Sequence, residues 1–405
     1  MFSLEMIYKQ CYADLFEDFL PFMDAYVVDH KYGGFMCHAD RDGTRISTVK
    51  RTWFEGRGIW LYSYLYNKFG HNPHYLEIAR KGVEFILKSM PEGEEFWPGS
   101  FTREGEPLEE VDPPFYGKRS IYGDLFIATG LAEYSKSEGN GEYWDLAKKI
   151  AMKSLRIYDN QLDYESLPKT DVAEKVFSPR RLGHWMIFLR LATEMLETRC
   201  DSEVESIAAR SVAAVMKYHY NPEYGLLNEY LHHDMSRINN PYGEIVTGHS
   251  IEVLWMVLDE ARRKGNRELF SEAMEWFKRH VEVFWDDLYG GLLEGLLDVN
   301  RNQWNTQKWL WVQQEALIGL MMIIAYTDAQ WAKEWYERIY GYMREKFLLK
   351  QYGFPLWIFL SDRKVAFERH SDRIENFHLP RFLMLTLQWK REMESSLCTG
   401  FFSKE

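Results

Sequence analysis

Val246-Thr247-Gly248-His249-Ser250-Ile251-Glu252-Val253-Leu254-Trp255-Met256-Val257-Leu258-Asp259-Glu260-Ala261-Arg262 is the stretch from which the fold can be read. Ile251, Leu254, Trp255 and Leu258 recur at i, i+3, i+4 and i+7, which predicts one apolar stripe of an α-helix. The opposite face carries His249, Glu252, Val253 and Met256. A helix apolar on two sides is a buried helix, so His249 and Glu252, three residues apart, share a face that water does not freely reach. Thr247 is the predicted N-cap. A histidine in the first turn meets the positive end of the helix dipole, which predicts a neutral imidazole at His249.

Working outward from His249, polar residues recur near the starts of similar aromatic-rich runs. Arg57, Asp124, His184, His249, Glu315 and His378 are separated by 67, 60, 65, 66 and 63 residues, the size of a two-helix repeat with generous loops. A second series keeps the same period. Tyr32-Gly33-Gly34, Tyr224-Gly225, Tyr289-Gly290-Gly291 and Tyr352-Gly353 are spaced by 192, 65 and 63, and 192 is three repeats. Trp97-Pro98-Gly99 fills one missing turn and the region from Leu162 to Pro168 the other. Glycine permits the positive φ of such turns, and the short apolar runs after them predict small β-hairpins. Each helical hairpin needs neighbours to bury its apolar face. The expectation is therefore an all-α (α/α)6 barrel, one catalytic domain over residues 1–405, with Arg57, His184, His249, Glu315 and His378 facing a common cavity.

Composition narrows the function. A net charge of −12 disfavours nucleic acid and anionic membrane surfaces as partners. Hydrophobic runs such as Ala316 to Ala325 are too short to span a bilayer. Cys11, Cys37, Cys200 and Cys398 have neither disulfide-framework nor zinc-site spacing, and with Glu5 and Asp14 where a signal peptide would be basic and then apolar, a cytoplasmic location is expected. No phosphate-loop or dinucleotide fingerprint is present. The 15 Trp, 25 Tyr and 25 Phe are enough to line a cavity as well as fill a core, and aromatic rings suit the C–H faces of a sugar.

Each periodic residue also has a structural explanation. His184 could be a hydrogen-bonded core histidine, Arg57 an ion-pair partner of Glu55 or Asp40, and Asp124 a cap or interhelical acceptor. Glu315 lies in an apolar run, where an unpaired carboxylate costs several kcal/mol. His38, His71, His74 and His280 fall in loops or on polar faces and are expected to be exposed.

Four segments together resemble the N-acylglucosamine 2-epimerase (renin-binding protein) family: Thr52-Trp53-Phe54-Glu55-Gly56-Arg57-Gly58-Ile59-Trp60, Gly248-His249-Ser250-Ile251-Glu252, Lys308-Trp309-Leu310-Trp311-Val312-Gln313-Gln314-Glu315-Ala316 and Phe377-His378-Leu379-Pro380-Arg381. The resemblance implies the helical barrel, His249 and His378 as an acid–base pair, and Arg57, Glu252 and Glu315 in support. His184, Trp309, Trp311, Asp124 and Trp53 are the expected substrate-binding set. It implies a sugar 2-epimerase interconverting N-acetylglucosamine and N-acetylmannosamine through an enediolate, with a small sugar as partner and a homodimer as the candidate assembly. No metal or cofactor is expected to be required; ATP as an allosteric activator is implied by the resemblance alone. Val246-Thr247-Gly248 stands where N-acylglucosamine members often have Asn-Pro-Gly, and Leu310 separates a tryptophan pair that is adjacent in them. Mannose, glucose or cellobiose epimerisation and aldose–ketose isomerisation therefore stay open, as do a glycoside hydrolase using Glu252 and Glu315 and a non-catalytic binding protein.

Overall fold

The computed structural model describes residues 3–108, 120–139, 141–161, 179–239, 243, 245–347, 360–361 and 370–394. Helix α1 (Leu4–Ala13) runs through a π-helical segment (Asp14–Phe19) into α2 (Leu20–Tyr26). There follow α3 (Thr52–Lys68), α4 (Pro73–Leu87), α5 (Ile121–Glu138), α6 (Gly141–Asp159) and α7 (Leu182–Leu196). Then come α8 (Ser202–Ala213), α9 (His249–Lys264), α10 (Arg267–Phe284), α11 (Leu310–Tyr326), α12 (Gln330–Lys346) and α13 (His378–Glu394).

Six of these form an inner ring. α3 packs on α5, α5 on α7, α7 on α9, α9 on α11, α11 on α13, and α13 closes on α3. Outside it, α4, α6, α8, α10 and α12 each pack on the inner helix that precedes them, and α1 with its π-helical continuation covers α13. This is the (α/α)6 barrel, and the sequence explains which helix goes where. In α11, Val312 through Ile324 are all buried. In α10 burial is confined to Phe270, Ala273, Phe277, His280, Val281 and Phe284, the single stripe of a helix with one wet face.

The helices start in two ways. Outer helices α4, α8 and α10, and the inner helix α5, are capped by side chains: Asn72 accepts from His74, Asp201 from Glu203 and Val204, Asn266 from Leu269, and Ser120 from Gly123. Inner helices α3, α7, α9 and α11 instead issue directly from two-residue strands, Lys50–Arg51, Arg180–Arg181, Val246–Thr247 and Lys308–Trp309. Each strand pairs antiparallel with one beyond the following outer helix, as in Lys50 with Phe101, Arg180 with Leu231, Val246 with Leu296 and Lys308 with Ser361. This pairing recurs at four of the six inner helices among the described residues and holds their starts at one end of the barrel. Gly248 takes the N-cap position of α9, and Thr247 serves from one residue earlier, its hydroxyl accepting from His249 N at 3.3 Å.

Two of the tyrosine–glycine turns are pinned by buried ion pairs. Lys50 Nζ donates to Asp29 Oδ2 at 3.0 Å and to the Gly33 carbonyl at 2.6 Å, while Asp29 Oδ1 accepts from the backbone of Lys31 and Tyr32. Lys308 reproduces this with Asp286 Oδ2 at 2.9 Å and the Gly290 carbonyl, and Asp286 Oδ1 accepts from Leu288 and Tyr289. Gly33 and Gly290 sit at φ of 79° and 74°, which L side chains rarely adopt. Two turns 257 residues apart, at Tyr32 and Tyr289, are thus the same machine part.

Two histidines expected at the surface are buried. His280 accepts from Leu227 N at 3.0 Å and contacts the Trp276 carbonyl, and His38 lies beneath the strand–turn layer. The even spacing of polar residues around them hides that the loops fold back over both. Tyr352-Gly353, the region Leu162–Pro168 and Cys398 lie outside the described residues; among the described ones, Cys11 and Cys37 are buried and Cys200 is exposed. No described helix is long and apolar enough to cross a membrane.

Lys50→Met should cost about 1–3 kcal/mol in urea denaturation, because it takes the buried cation from Asp29 and the Gly33 carbonyl and leaves Asp29 only the part-exposed Arg103 guanidinium at 2.9 Å. Gly56→Ala should cost about 1–3 kcal/mol: a Cβ there would stand 2.3 Å from the Phe126 carbonyl carbon, where α3 and α5 approach most closely. A melting curve unchanged by either substitution would contradict these packing assignments.

Candidate active site

The starts of the inner helices, four of them strand-anchored, surround a cavity of about 270 Å³ to which all six contribute. α3 presents Trp53 and Arg57, α9 presents His249, Glu252 and Met256, α11 presents Trp311, and α13 presents His378 and Arg381. His249, Glu252 and Met256 are the polar-containing face of the opening sequence stretch, now turned inward.

His378 is the first residue of its helix. Its backbone N–H and that of Phe377 donate to Glu375, at 2.8 and 3.0 Å, so the segment ahead of α13 caps it. Nδ1 of His378 lies 2.8 Å from Glu315 Oε1 and 3.3 Å from Arg381 Nη2. The shorter contact makes Nδ1–H the donor to Glu315, leaving Nε2 as an acceptor for the cavity. Burial pushes its pKa down to about 3, with the nearby Arg381 and Arg57 opposing protonation while Glu375 and Glu252 favour it. His378 is therefore a neutral imidazole across the ordinary pH range.

Behind it, Arg381 Nη2 reaches Glu252 Oε1 and, at 2.6 Å, Glu315 Oε1; the other oxygen of Glu315 accepts from Trp255 Nε1 at 2.7 Å. Burial raises the Glu315 carboxyl, and Arg381 counters it. Glu252, Glu315 and His378 bring ligand atoms within 4.8 Å of one another, a spacing that could hold a metal ion. The Arg381 guanidinium touches all three groups and already supplies the positive charge at that point.

His249 is in the opposite state. Its Nδ1 lies 3.1 and 3.2 Å from the two oxygens of Glu229, a buried residue between strands Leu226–Leu227 and Tyr230–Leu231. Burial opposes the charge on His249, but Glu229 outweighs it, with Glu252 and Glu294 adding to the attraction, and its pKa rises to about 9. The neutral form expected from the helix dipole is overturned: a carboxylate in contact dominates a terminal partial charge. Trp311 touches both imidazoles, its ring centroid 5.7 Å from His249 and 5.4 Å from His378.

Arg57 projects between aromatic faces, its guanidinium 4.3 Å from the Phe126 centroid and 4.7 Å from that of Phe377. Its ion-pair partner is Glu375 at 3.4 Å, not Glu55, which accepts from Phe35 N, nor Asp40, which pairs with His370. Burial lowers its pKa only to about 10, so it stays cationic.

The remaining sequence candidates separate. Trp53 and Trp311 line the cavity. Glu315 stands behind His378. His184 is buried against Tyr122 and Tyr158, and burial drives its pKa far down. Asp124 is displaced from the substrate-binding set: it is buried against Lys153 Nζ at 2.5 Å and accepts from Trp97 N, an interhelical acceptor. Trp309 is likewise outside the lining, its Nε1 donating to Gln307 at 3.3 Å. The sequence reading missed Glu229, Glu375, Arg381 and also Arg190, which lines the cavity while paired with Glu194 and Asp259 at 2.6 Å. Arg381 had a signal, since it is three residues after His378 on one helix face. Glu229 had none, because a turn and a strand carry it to His249.

The family model of N-acylglucosamine 2-epimerase (GlcNAc 2-epimerase) matches residues 12–374, ending just ahead of His378. N-acylglucosamine 2-epimerase of Bos taurus is 24% identical over 393 residues, covering 91% of this chain and 88% of that protein. Cellobiose 2-epimerase of Dictyoglomus turgidum is 23% identical over 338 residues, 79% of this chain and 82% of that one. Among solved structures, cellobiose 2-epimerase from Bacillus thermoamylovorans superposes with a TM-score of 0.79 at 16% identity, covering 95% of this chain and 99% of that one. A D-mannose isomerase gives 0.76 at 14% identity over 97% of each. At those identities the structural likeness speaks for the fold, and the family match spans most of the chain: the protein belongs to the N-acylglucosamine 2-epimerase family, sugar epimerases of the isomerase class.

Proposed function

We propose that the protein, acting as one catalytic domain, interconverts N-acetylglucosamine and N-acetylmannosamine by moving the proton on C2. The observation that carries this is the opposed charge of two histidines on one cavity, both touching Trp311. Two titratable groups pushed apart in pKa divide the acid and base roles. Neutral His378 takes the C2 proton of the open-chain aldose through Nε2, and the electron pair moves into an enediolate. Protonated His249 returns a proton to C2 from the other side, and exchange with solvent restores both histidines. Arg57, cationic within an aromatic wall, stabilises the oxygen on which negative charge develops. Glu315 and Arg381 hold His378 in its Nδ1–H tautomer, and Glu252 orients Arg381 and the sugar hydroxyls.

Supporting the N-acyl substrate, the bovine, mouse and human relatives carry that name. The cellobiose 2-epimerases among the relatives and solved structures favour a second reading, epimerisation of an unsubstituted sugar in the same pocket. We propose that no metal or nucleotide is required for turnover, with ATP acting at most as an activator, and that the enzyme works in the cytoplasm, as a homodimer if it assembles.

Incubation with N-acetylmannosamine, N-acetylglucosamine, mannose, glucose and cellobiose, followed by chromatography, should give the C2 epimer of one of them. Cleavage of aryl glycosides with free sugars untouched would overturn the proposal. Turnover should survive EDTA; its loss and recovery on adding a divalent ion would contradict the roles given to Arg381 and Glu315.

His378→Asn and His249→Asn should each abolish epimerisation. In deuterated water His249→Asn should label C2 only of the epimer whose proton faces His378, while His378→Asn, left with an imidazolium, should label the other epimer only as the pH approaches 9 and His249 becomes neutral. Labelling of both epimers by both variants at the wild-type rate would remove the two histidines as proton carriers.

The pH–rate profile should fall on the alkaline side near 9, where His249 loses its proton. On the acid side the fold gives way first. His219 and His280, buried neutral with pKa values near 4, take up protons more readily when unfolded, so stability falls as pH drops from about 6.5 through about 4. Unfolding monitored by tryptophan fluorescence should track the acid loss of activity.

A further inference from the structure

The two histidines are built alike and charged differently, and the difference lies in the carboxylate behind each. Both present Nδ1 to a buried glutamate. Behind His378, Glu315 is shared with the Arg381 guanidinium and the Trp255 indole. Behind His249, the Glu229 carboxylate receives the Thr247 hydroxyl at 2.8 Å and the imidazole itself. Its negative charge is therefore spent on His249.

Glu229 is also fixed in place by its backbone. Its N–H donates to the Ile245 carbonyl at 2.7 Å and its carbonyl accepts from Leu182 N at 2.9 Å, joining the start of α7 to the strand that launches α9. The other titratable groups facing this pair are Glu252 on α9 itself, Glu294 ahead of strand Gly295–Asp298, His184 on α7 and His219 at the end of the segment after α8. Glu294 is held by Asn305 Nδ2 at 3.1 Å, and Glu252 is committed to Arg381. Among these described groups Glu229 alone is hydrogen-bonded to the ring.

We propose that Glu229 is a positioning residue that keeps His249 an imidazolium, with Nε2–H directed at the cavity, and so makes His249 the proton donor of the pair. The inference rests on the epimerase reading for its consequence, though not for its first measurement. In the step it serves, the Nε2–H bond of His249 breaks as a C–H bond forms at C2 from the enediolate's electron pair; nothing is oxidised or reduced, and water reprotonates Nε2.

The test uses the full chain carrying isotopically labelled histidine, with the His249 signal assigned by its absence in His249→Asn. In the wild type it should titrate near 9. In Glu229→Gln, which keeps the shape and removes the charge, the midpoint should fall by about two units, toward the ordinary histidine value of about 6.5. On whichever sugar turns over, kcat should then fall about a hundred-fold at pH 8.5 and only a few-fold near pH 5.5, with KM little changed. Glu229→Asp, which withdraws the carboxylate by one carbon, should fall between, and serves alone should the glutamine variant not fold. A midpoint that stays at the wild-type value in either variant, or a loss of kcat equal at both pH values, would overturn the inference. A midpoint that falls in a protein turning over none of the sugars would uphold the Glu229–His249 pairing while sinking the epimerase reading.

Discussion

One guanidinium sits where three inner helices converge. Arg381 on α13 contacts Glu252 on α9 and Glu315 on α11 in the buried floor of the cavity. Two carboxylates so close would otherwise repel and draw protons, and a lone buried cation would cost several kcal/mol. Together they are tolerable only if the helices meet in a narrow range of geometries. A buried cluster of this kind contributes little net stability; what it does here is tie three of the six inner helices to one guanidinium. His378 inherits its place from it, because the carboxylate that receives its Nδ1–H is the one that Arg381 holds.

From that arrangement follows the division of labour in the pocket. Glu315 is neutralised from behind and cannot charge its histidine; Glu229 is not, and does. Two chemically identical side chains on one tryptophan thus differ in protonation through their second neighbours. A reaction that must remove a proton from one face of a planar intermediate and deliver another to the opposite face needs such a pair at every turnover. Arg57, set among aromatic rings and, among the described residues, ion-paired with Glu375 at 3.4 Å, presents a cation to the same cavity.

How far the chain could be read unaided depended on the range of each interaction. The barrel was legible because its determinants repeat: the buried inner helices, the Tyr-Gly turns and the interval near 64 all come from one hairpin copied around a ring. Arg57, His249, Glu252 and His378 were legible because helical periodicity places them on inward faces. Asp124 kept the period but not the cavity, since Lys153 on the adjacent outer helix claims its carboxylate, and periodicity cannot tell a cavity from an interhelical seam. Glu229 was invisible because its role depends on a hairpin's return path. The charge of His249 was misjudged for the same reason: the dipole is a local property of sequence, the carboxylate is not.

The pairing of α1 with α13 has a consequence for biosynthesis. The helix that covers α13 is made near the beginning of the described chain, and α13 near its end. At translation rates of about 5–20 residues per second, α1 waits on the order of tens of seconds for its partner, its apolar face without a permanent mate. Contacts between such distant segments slow folding as well. Until α13 arrives the nascent barrel is an open arc with Glu252 and Glu315 lacking their arginine, so the last described helix completes the wall, the charge balance and the placement of His378 together.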